Sequence, residues 1–419
     1  MPNPSDILIT GLGVVSPIGT GIDQYWQSLA AGRSGITWRE GFENVQSPVA
    51  VGGLVTDFDG RMHIKPRKAM KVMCREIQFG HAAATMAVEN AGLIPETVDL
   101  ERFSVIYGAE TFQGEPDEVE IAIRACTHEG VFQFDQWGSR SMKDVQPLWM
   151  LKYLPNMVAS HISIALGATG PNNTICQDEV SAALATIEAA LVIQRGWADV
   201  AIAGGTGSHV QMKCRAGRGY RRLSHGFAGP QQASRPFHPD RNGYVCGEGA
   251  GAIVLETGES AERRKATVWG RLAGWARGFC ASPGDESAMT SSIIRVVTDA
   301  MHRAGVTPAD LSHINANGLG SVFEDHCEAA AIAKLAPESN VMAVKTWTGN
   351  TGAGTAVVEL IASLLALKNG SVPPGFVAAD LGRWNGKPPR PLISDPRKSA
   401  LKISFCPAGQ VVALVVTRD

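Results

Sequence analysis

The stretch from Gly170 to Gly205, GPNNTICQDEVSAALATIEAALVIQRGWADVAIAGG, places a carboxylate among apolar residues. It reads as strand, tight turn, long helix and strand, with Glu179 on the turn. The helix after it is strongly apolar, so Glu179 is expected to be buried, and an unpaired buried charge is expensive. At a helix N-terminus the carboxylate can accept backbone N–H bonds. It can also serve as a proton-transferring base.

The other reactive side chains narrow the chemistry. The eight cysteines are Cys74, Cys126, Cys176, Cys214, Cys246, Cys280, Cys327 and Cys406. None forms a CxxC pair and no His/Cys cluster has metal-ligand spacing, so neither a metal nor a cofactor is expected. Scattered thiols of this kind fit a reduced, cytoplasmic setting. The formal net charge of -2 gives no support for a nucleic-acid partner. The opening MPNPSDILITGLG lacks a basic n-region and apolar run. No run of 18 or more apolar residues stands out, so no membrane span is expected. Two basic clusters remain. HIKPRKAMK holds Lys65, Arg67, Lys68 and Lys71, and KCRAGRGYRR holds Lys213, Arg215, Arg218, Arg221 and Arg222. Such runs form solvated faces or steer acidic partners.

Alternating elements must position these groups. ILITGLGVVSP reads as a buried strand, IDQYWQSLAAG as a short amphipathic helix ending at Gly32, and REIQFGHAAATMAVENAGL as a longer helix. FSVIYGAE, DVAIAGGTG and GAGAIVLET read as further strands. VSAALATIEAALVIQRG is apolar almost all round and is predicted to be central rather than peripheral. After about residue 258 the pattern restarts with ATVWGRLAGWARG as strand, TSSIIRVVTDAMHRAGV as helix and AVVELIASLLALKNG as a second apolar helix. Two halves, 1–257 and 258–419, each with a buried helix, imply a layered α/β architecture. Residues 109–150 break the alternation and read as an insertion rich in charge and aromatics.

Five stretches, in order along nearly the whole chain, resemble the β-ketoacyl synthase family. They are ITGLGVVSPIG (9–19), the Glu179 strand–turn–helix, SRPFHPDRNGYVCGEGAGAIVLE (234–256), NANGLGSVFEDHCEA (315–329) and KTWTGNTGAGTAVVELIASLLAL (345–367). The resemblance implies a thiolase-like fold of two similar halves, in five α/β/α/β/α layers. It also implies condensation chemistry on an acyl carrier protein, with a cysteine nucleophile at a helix N-terminus and two histidines that stabilise the enolate.

Counted back from Ala198, the nucleophile position falls on Glu179. The histidine positions fall on Asn317 and Asn350, while the lysine position keeps Lys345. Asp325 and Glu328 are retained in the first loop, and the late glycine-rich loop becomes CPAG (406–409). Cys176 lies three residues too early for the nucleophile. A carboxylate is a poor acyl carrier beside a thiolate, so ordinary condensation is not expected and no catalytic residue is assigned. The resemblance narrows to the chain-length factor, the ketosynthase β-subunit of type II polyketide synthases. That factor pairs as a heterodimer with an active ketosynthase and shapes its acyl tunnel. On that analogy Phe112, Ile121, Ile123, Phe132 and Phe134 are tunnel or interface candidates. Lys65, Arg67, Lys68 and Lys71 are candidates for docking the acidic carrier protein. Three readings follow. In the first, Glu179, Asn317, Asn350 and Lys345 form a hydrogen-bonded plug in a silent subunit. In the second, Glu179 is an acid/base with Asn317 and Asn350 as oxyanion donors. In the third, Cys176 serves as nucleophile.

Overall fold

The computed structural model describes residues 6–110 apart from 44 and 46, then 117–211, 219, 222–381 and 390–418. Phe112, Lys213, Arg215, Arg218 and Arg221 lie outside the described residues.

One strand order is used twice. The first five strands are β1 (Ile7–Ser16), β2 (Phe103–Gly108), β3 (Asn172–Ile175), β4 (Val200–Ser208) and β5 (Glu248–Thr257). The second five are β6 (Gly270–Phe279), β7 (Leu311–Asn315), β8 (Asn340–Met342), β9 (Ser399–Phe405) and β10 (Gln410–Thr417). Outward from the centre they run β1-β5-β4-β2-β3 on one side and β6-β10-β9-β7-β8 on the other. In each half the first two pairings are antiparallel and the next two parallel. The halves join where β1 meets β6, through Leu8 opposite Arg271 and Ile9 opposite Gly270.

Two helices fill the space between the halves. Helix Ser181–Gln194 packs on β2 and β4 of the first half and on β10 of the second. Helix Thr355–Asn369 packs on β5 and also on β9 and β7. Both are buried on nearly every face, as their all-round apolar sequences require. Their side chains join those of both sheets in one continuous core. Helix Arg75–Asn90 covers the outer face of the first half and Glu286–Ala304 that of the second. The result is the five-layered, thiolase-like α/β/α/β/α arrangement. The outer helix Glu286–Ala304 starts at Asp285, whose Oδ1 accepts the Ala288 N–H at 2.7 Å, and ends at left-handed Gly305. By length and composition Gly352–Asn369 is apolar enough to cross a membrane. However, 89% of it is buried between the sheets, so burial against protein accounts for its apolarity.

The segment that broke the sequence alternation holds helix Asp117–Ala125, two-residue strands at Thr127–His128 and Val131–Phe132, and short helical turns to Lys152. Its large apolar side chains point outward, with Ile121, Ile123, Val131, Phe132 and Phe134 all exposed.

Candidate functional site

The turn after β3 is built around a residue in an uncommon backbone state. Asp178 has φ +50, a left-handed value that Asp tolerates better than most side chains. Ser181 holds the turn, accepting the Gln177 N–H at 2.8 Å and donating its hydroxyl to the Asp178 carbonyl at 2.6 Å. This geometry turns Glu179 inward, where it is 4% exposed.

Glu179 meets the loop that precedes the second central helix. Asn350 Nδ2 donates to Glu179 Oε1 at 2.9 Å. The orientation of that amide is determined from its other end, since Asn350 Oδ1 accepts from Gly352 N–H at 3.1 Å and from the Thr355 hydroxyl at 3.2 Å. The Asn350 backbone is fastened too. Its N–H goes to Val245 O at 2.8 Å, and its carbonyl accepts from Gly247 N–H at 2.8 Å. Residues 245–247 belong to the long motif stretch at 234–256, so that stretch serves as a splint for the Asn350 loop.

Asn317 is directed elsewhere. Its backbone N–H and that of Gly318 donate to the Glu328 carboxylate at 2.6 and 2.8 Å. Asp325 accepts from Leu319, Gly320 and Phe237 in the same way. The two retained acids therefore shape the loop. Burial pushes the Asp325 carboxyl up to about 6 and that of Glu328 up to about 7. The Asn317 carbonyl and Oδ1 accept from Lys345 Nζ at 2.6 and 3.2 Å. Lys345 also reaches Glu359 Oε1 at 2.9 Å, and Lys402 reaches the other Glu359 oxygen at 2.6 Å. All three of these charged side chains are at most 1% exposed. Burial lowers the Lys402 pKa against the pull of Glu359.

The four residues singled out in the sequence thus fall into two tied pairs, Glu179–Asn350 and Asn317–Lys345. Lys345 is locked into an ion-paired cluster. Sequence reasoning passed over Glu359 and Lys402. Each left a signal, as a lone Glu inside AVVELIASLLAL and a lone Lys inside SALKISF.

It also passed over Glu110 and His209, which follow the ends of β2 and β4. His209 Nε2 lies 2.8 Å from Glu110 Oε2, and Ser208 N–H donates to Glu110 Oε1 at 3.1 Å. The pair abuts Gly352. A Cβ there would come within 2.6 Å of His209 Nε2 and 2.5 Å of Glu110 Oε1, so only glycine leaves room. Cys176 sits at the end of β3, exposed by area. Partial burial of its thiol, and then the Glu110 carboxylate, raise its pKa above the ordinary thiol range. A thiol held protonated is a weak nucleophile.

Of the tunnel or interface candidates, Ile121, Ile123, Phe132 and Phe134 lie on the outer surface. Lys65, Arg67, Lys68 and Lys71 are all exposed, on and beside the short 3₁₀ helix Arg67–Val72. Arg222, the described member of the second basic cluster, is paired with Glu324 at 3.6 Å. Among the described residues no group of three or more His, Cys, Asp or Glu could hold a metal ion.

Comparison with known proteins gives the family. Residues 4–261 match the Beta-ketoacyl synthase, N-terminal domain, and residues 274–377 match the Beta-ketoacyl synthase, C-terminal domain. A 3-oxoacyl-[acyl-carrier-protein] synthase 2 of Synechocystis sp. is 31% identical, covering 88% of this chain and 86% of its own. The tetracenomycin polyketide synthase ketoacyl synthase beta subunit of Streptomyces glaucescens is also 31% identical, covering 89% and 88%. Among solved structures, AntDE:AntF is a type II PKS acyl-carrier protein in complex with its ketosynthase bound to the hexaketide. It aligns with TM-score 0.82 at 25% identity, over 100% of both chains. The ishigamide ketosynthase/chain length factor aligns at TM-score 0.82 over 99% of both chains, and at 24% identity it speaks for the fold.

Proposed function

The chain belongs to the β-ketoacyl synthase family, and from that premise we propose that it is a non-condensing subunit of the chain-length-factor kind. It pairs with an active ketosynthase in type II polyketide or polyene biosynthesis and shapes the acyl tunnel. One observation carries this reading. The side chain at the nucleophile position, Glu179, is buried and hydrogen-bonded to Asn350, the residue at a histidine position. Three changes in three separate loops would each weaken condensation, and the new side chains are held in two hydrogen-bonded pairs, Glu179–Asn350 and Asn317–Lys345. Acyl transfer through Glu179 would require a carboxylate to replace a thiolate as nucleophile. The raised pKa of Cys176 argues against that thiol as a substitute.

Support for a partner comes from the surface. Exposed Ile121, Ile123, Val131, Phe132 and Phe134 crowd one short segment, and clustered exposed apolar groups mark interaction sites. The exposed Lys65, Arg67, Lys68 and Lys71 suit an acidic carrier protein, whose approach their charge would speed.

The decisive experiment is reconstitution with an active ketosynthase from the same organism and measurement of product mass. Glu179→Gln preserves shape while removing the base. On this reading Glu179→Gln leaves product amount and length unchanged, whereas substitutions at Phe132 and Phe134 alter length or assembly. Loss of product from Glu179→Gln in an intact complex would instead assign the carboxylate an acid/base role.

A further inference from the structure

A cleft of about 530 Å³ opens beside the Lys345 loop, between the stretch 226–240 and Phe376. Ser234 and Thr346 form the wall that it shares with that loop, and the Ser234 hydroxyl donates to the Lys345 carbonyl at 2.6 Å. The Lys345 ammonium is committed to Asn317 and Glu359 and takes no part in the cleft. Glu179, Asn317 and Asn350 do not line it either, so this space is separate from the degenerate site.

Arg235 brings a positive charge to the lining, and that charge is only partly met. The side chain is half-buried. Its Nη2 donates to the His225 carbonyl at 3.0 Å and to Asn242 Oδ1 at 3.1 Å, both uncharged acceptors. Its Nε is buried without an acceptor among the described residues, while Nη1 makes no hydrogen bond to them and is not sealed in the same way. Asp240 attracts the guanidinium from beyond ion-pair distance and itself stands 3.7 Å from His238. Burial outweighs that attraction and lowers the Arg235 pKa. A partly buried guanidinium with no paired carboxylate is costly, and an anion that accepts from it would offset the cost.

The rest of the lining narrows the anion. Phe227, Pro236 and Phe376 give the cleft an apolar wall, and exposed Gln231 and Gln232 give it a polar rim. Such walls favour an apolar body, preferably a flat one. The Asp240 side chain, 79% exposed, adds a negative charge to the same cleft and disfavours a second charge on the ligand. We propose that this cleft binds an organic monoanion, a carboxylate carried on an aromatic or similarly flat apolar body, with Arg235 holding the carboxylate. The proposal is independent of the subunit reading.

The test is calorimetry on the full chain with three probes of similar shape. They are hydrocinnamate, its neutral amide hydrocinnamamide, and the dianion phenethyl phosphate. Hydrocinnamate is expected to bind about tenfold or more tightly than the amide, since a charge-assisted hydrogen bond is lost in the amide. Arg235→Gln should remove that preference and leave amide binding unchanged. Arg235→Lys should keep part of it, because the charge remains and the planar fork is lost. Ala228→Trp, at an exposed position on the cleft, should weaken both probes together without touching the folded core. It keeps the test open should Arg235→Gln fail to fold. Equal binding of acid and amide, a preference that survives Arg235→Gln, binding untouched by Ala228→Trp, tighter binding of phenethyl phosphate, or no hydrocinnamate binding at millimolar concentration each overturns the inference.

Discussion

Asn350 and Glu179 stand 171 positions apart in the chain and share a buried hydrogen bond of 2.9 Å. The bond joins the turns that begin the two central helices, one at Ser181 and the other at Thr355. Asn350 can donate to the carboxylate because its own oxygen is already held by Gly352 and Thr355. The arrangement is directional, with the amide nitrogen toward Glu179 and the oxygen away from it.

Asn350→Asp should therefore be costly in a pH-dependent way. It replaces the donor by a second carboxylate in a buried site, and like charges at that distance cannot both persist. Stability should fall by on the order of 3 kcal/mol at pH 8. At pH 5 one proton can be shared and the loss should be smaller. Denaturant unfolding at both pH values measures this, and an equal loss at each would exclude charge repulsion as the cause.

Glu359 serves two lysines at once, which ranks the members of that cluster. Removing its charge leaves Lys345 and Lys402 buried without their shared counter-ion. Glu359→Gln should cost about 3–5 kcal/mol, the range for stranding a buried charge. Lys402→Met should cost less, because it leaves the Lys345–Glu359 pair intact and fills the same volume with apolar atoms. Chemical denaturation of both variants decides the order, and a Lys402→Met loss equal to or larger than that of Glu359→Gln would refute the ranking.

Much of this was legible in the sequence because periodicity and motif order carry long-range information. The two helices apolar on every face could only lie between layers, and they do. Glu179 was legible as a buried carboxylate because it directly precedes a helix apolar on every face; that its turn neighbours Gln177 and Asp178 stay half-buried was not legible. The division of the four positions into two pairs was not legible. It depends on Lys345 being drawn to Glu359, a contact between side chains of the last motif, and on Lys402, which comes from a strand outside every motif read. Glu110 and His209 were missed for a related reason. They lie 99 positions apart, and they meet only because β2 and β4 are parallel neighbours in the sheet.

Glu76 links burial to pH dependence. Its carboxyl rises from 4.5 to about 7 on folding, chiefly through burial. A raised folded pKa favours the folded state fully below the unfolded value. That contribution is lost as pH rises from about 4.5 through about 7. Glu76→Gln mimics the protonated form and does not titrate. The variant should match the wild type near pH 4.5 and be the more stable of the two at pH 8, by on the order of a few kcal/mol. Unfolding curves across that range provide the comparison. A wild-type advantage that grows with pH would show that Glu76 is held as the carboxylate.

The outward-facing apolar segment should govern assembly and not folding. Phe134 is 78% exposed, Ile121 66% and Val131 64%, so none contributes much buried area to this chain alone. Fully burying such a side chain against a partner is worth roughly 1.5–3 kcal/mol. Replacing all three by serine should leave the melting temperature of the isolated chain within a few degrees. The same triple variant should weaken association with a ketosynthase partner by at least tenfold, since each lost contact removes part of the interface energy. Sedimentation of the chain alone and with its partner separates self-association from mixed assembly. If the triple variant unfolds, these residues pack within the chain. If it folds and still assembles at full strength, the partner face lies elsewhere.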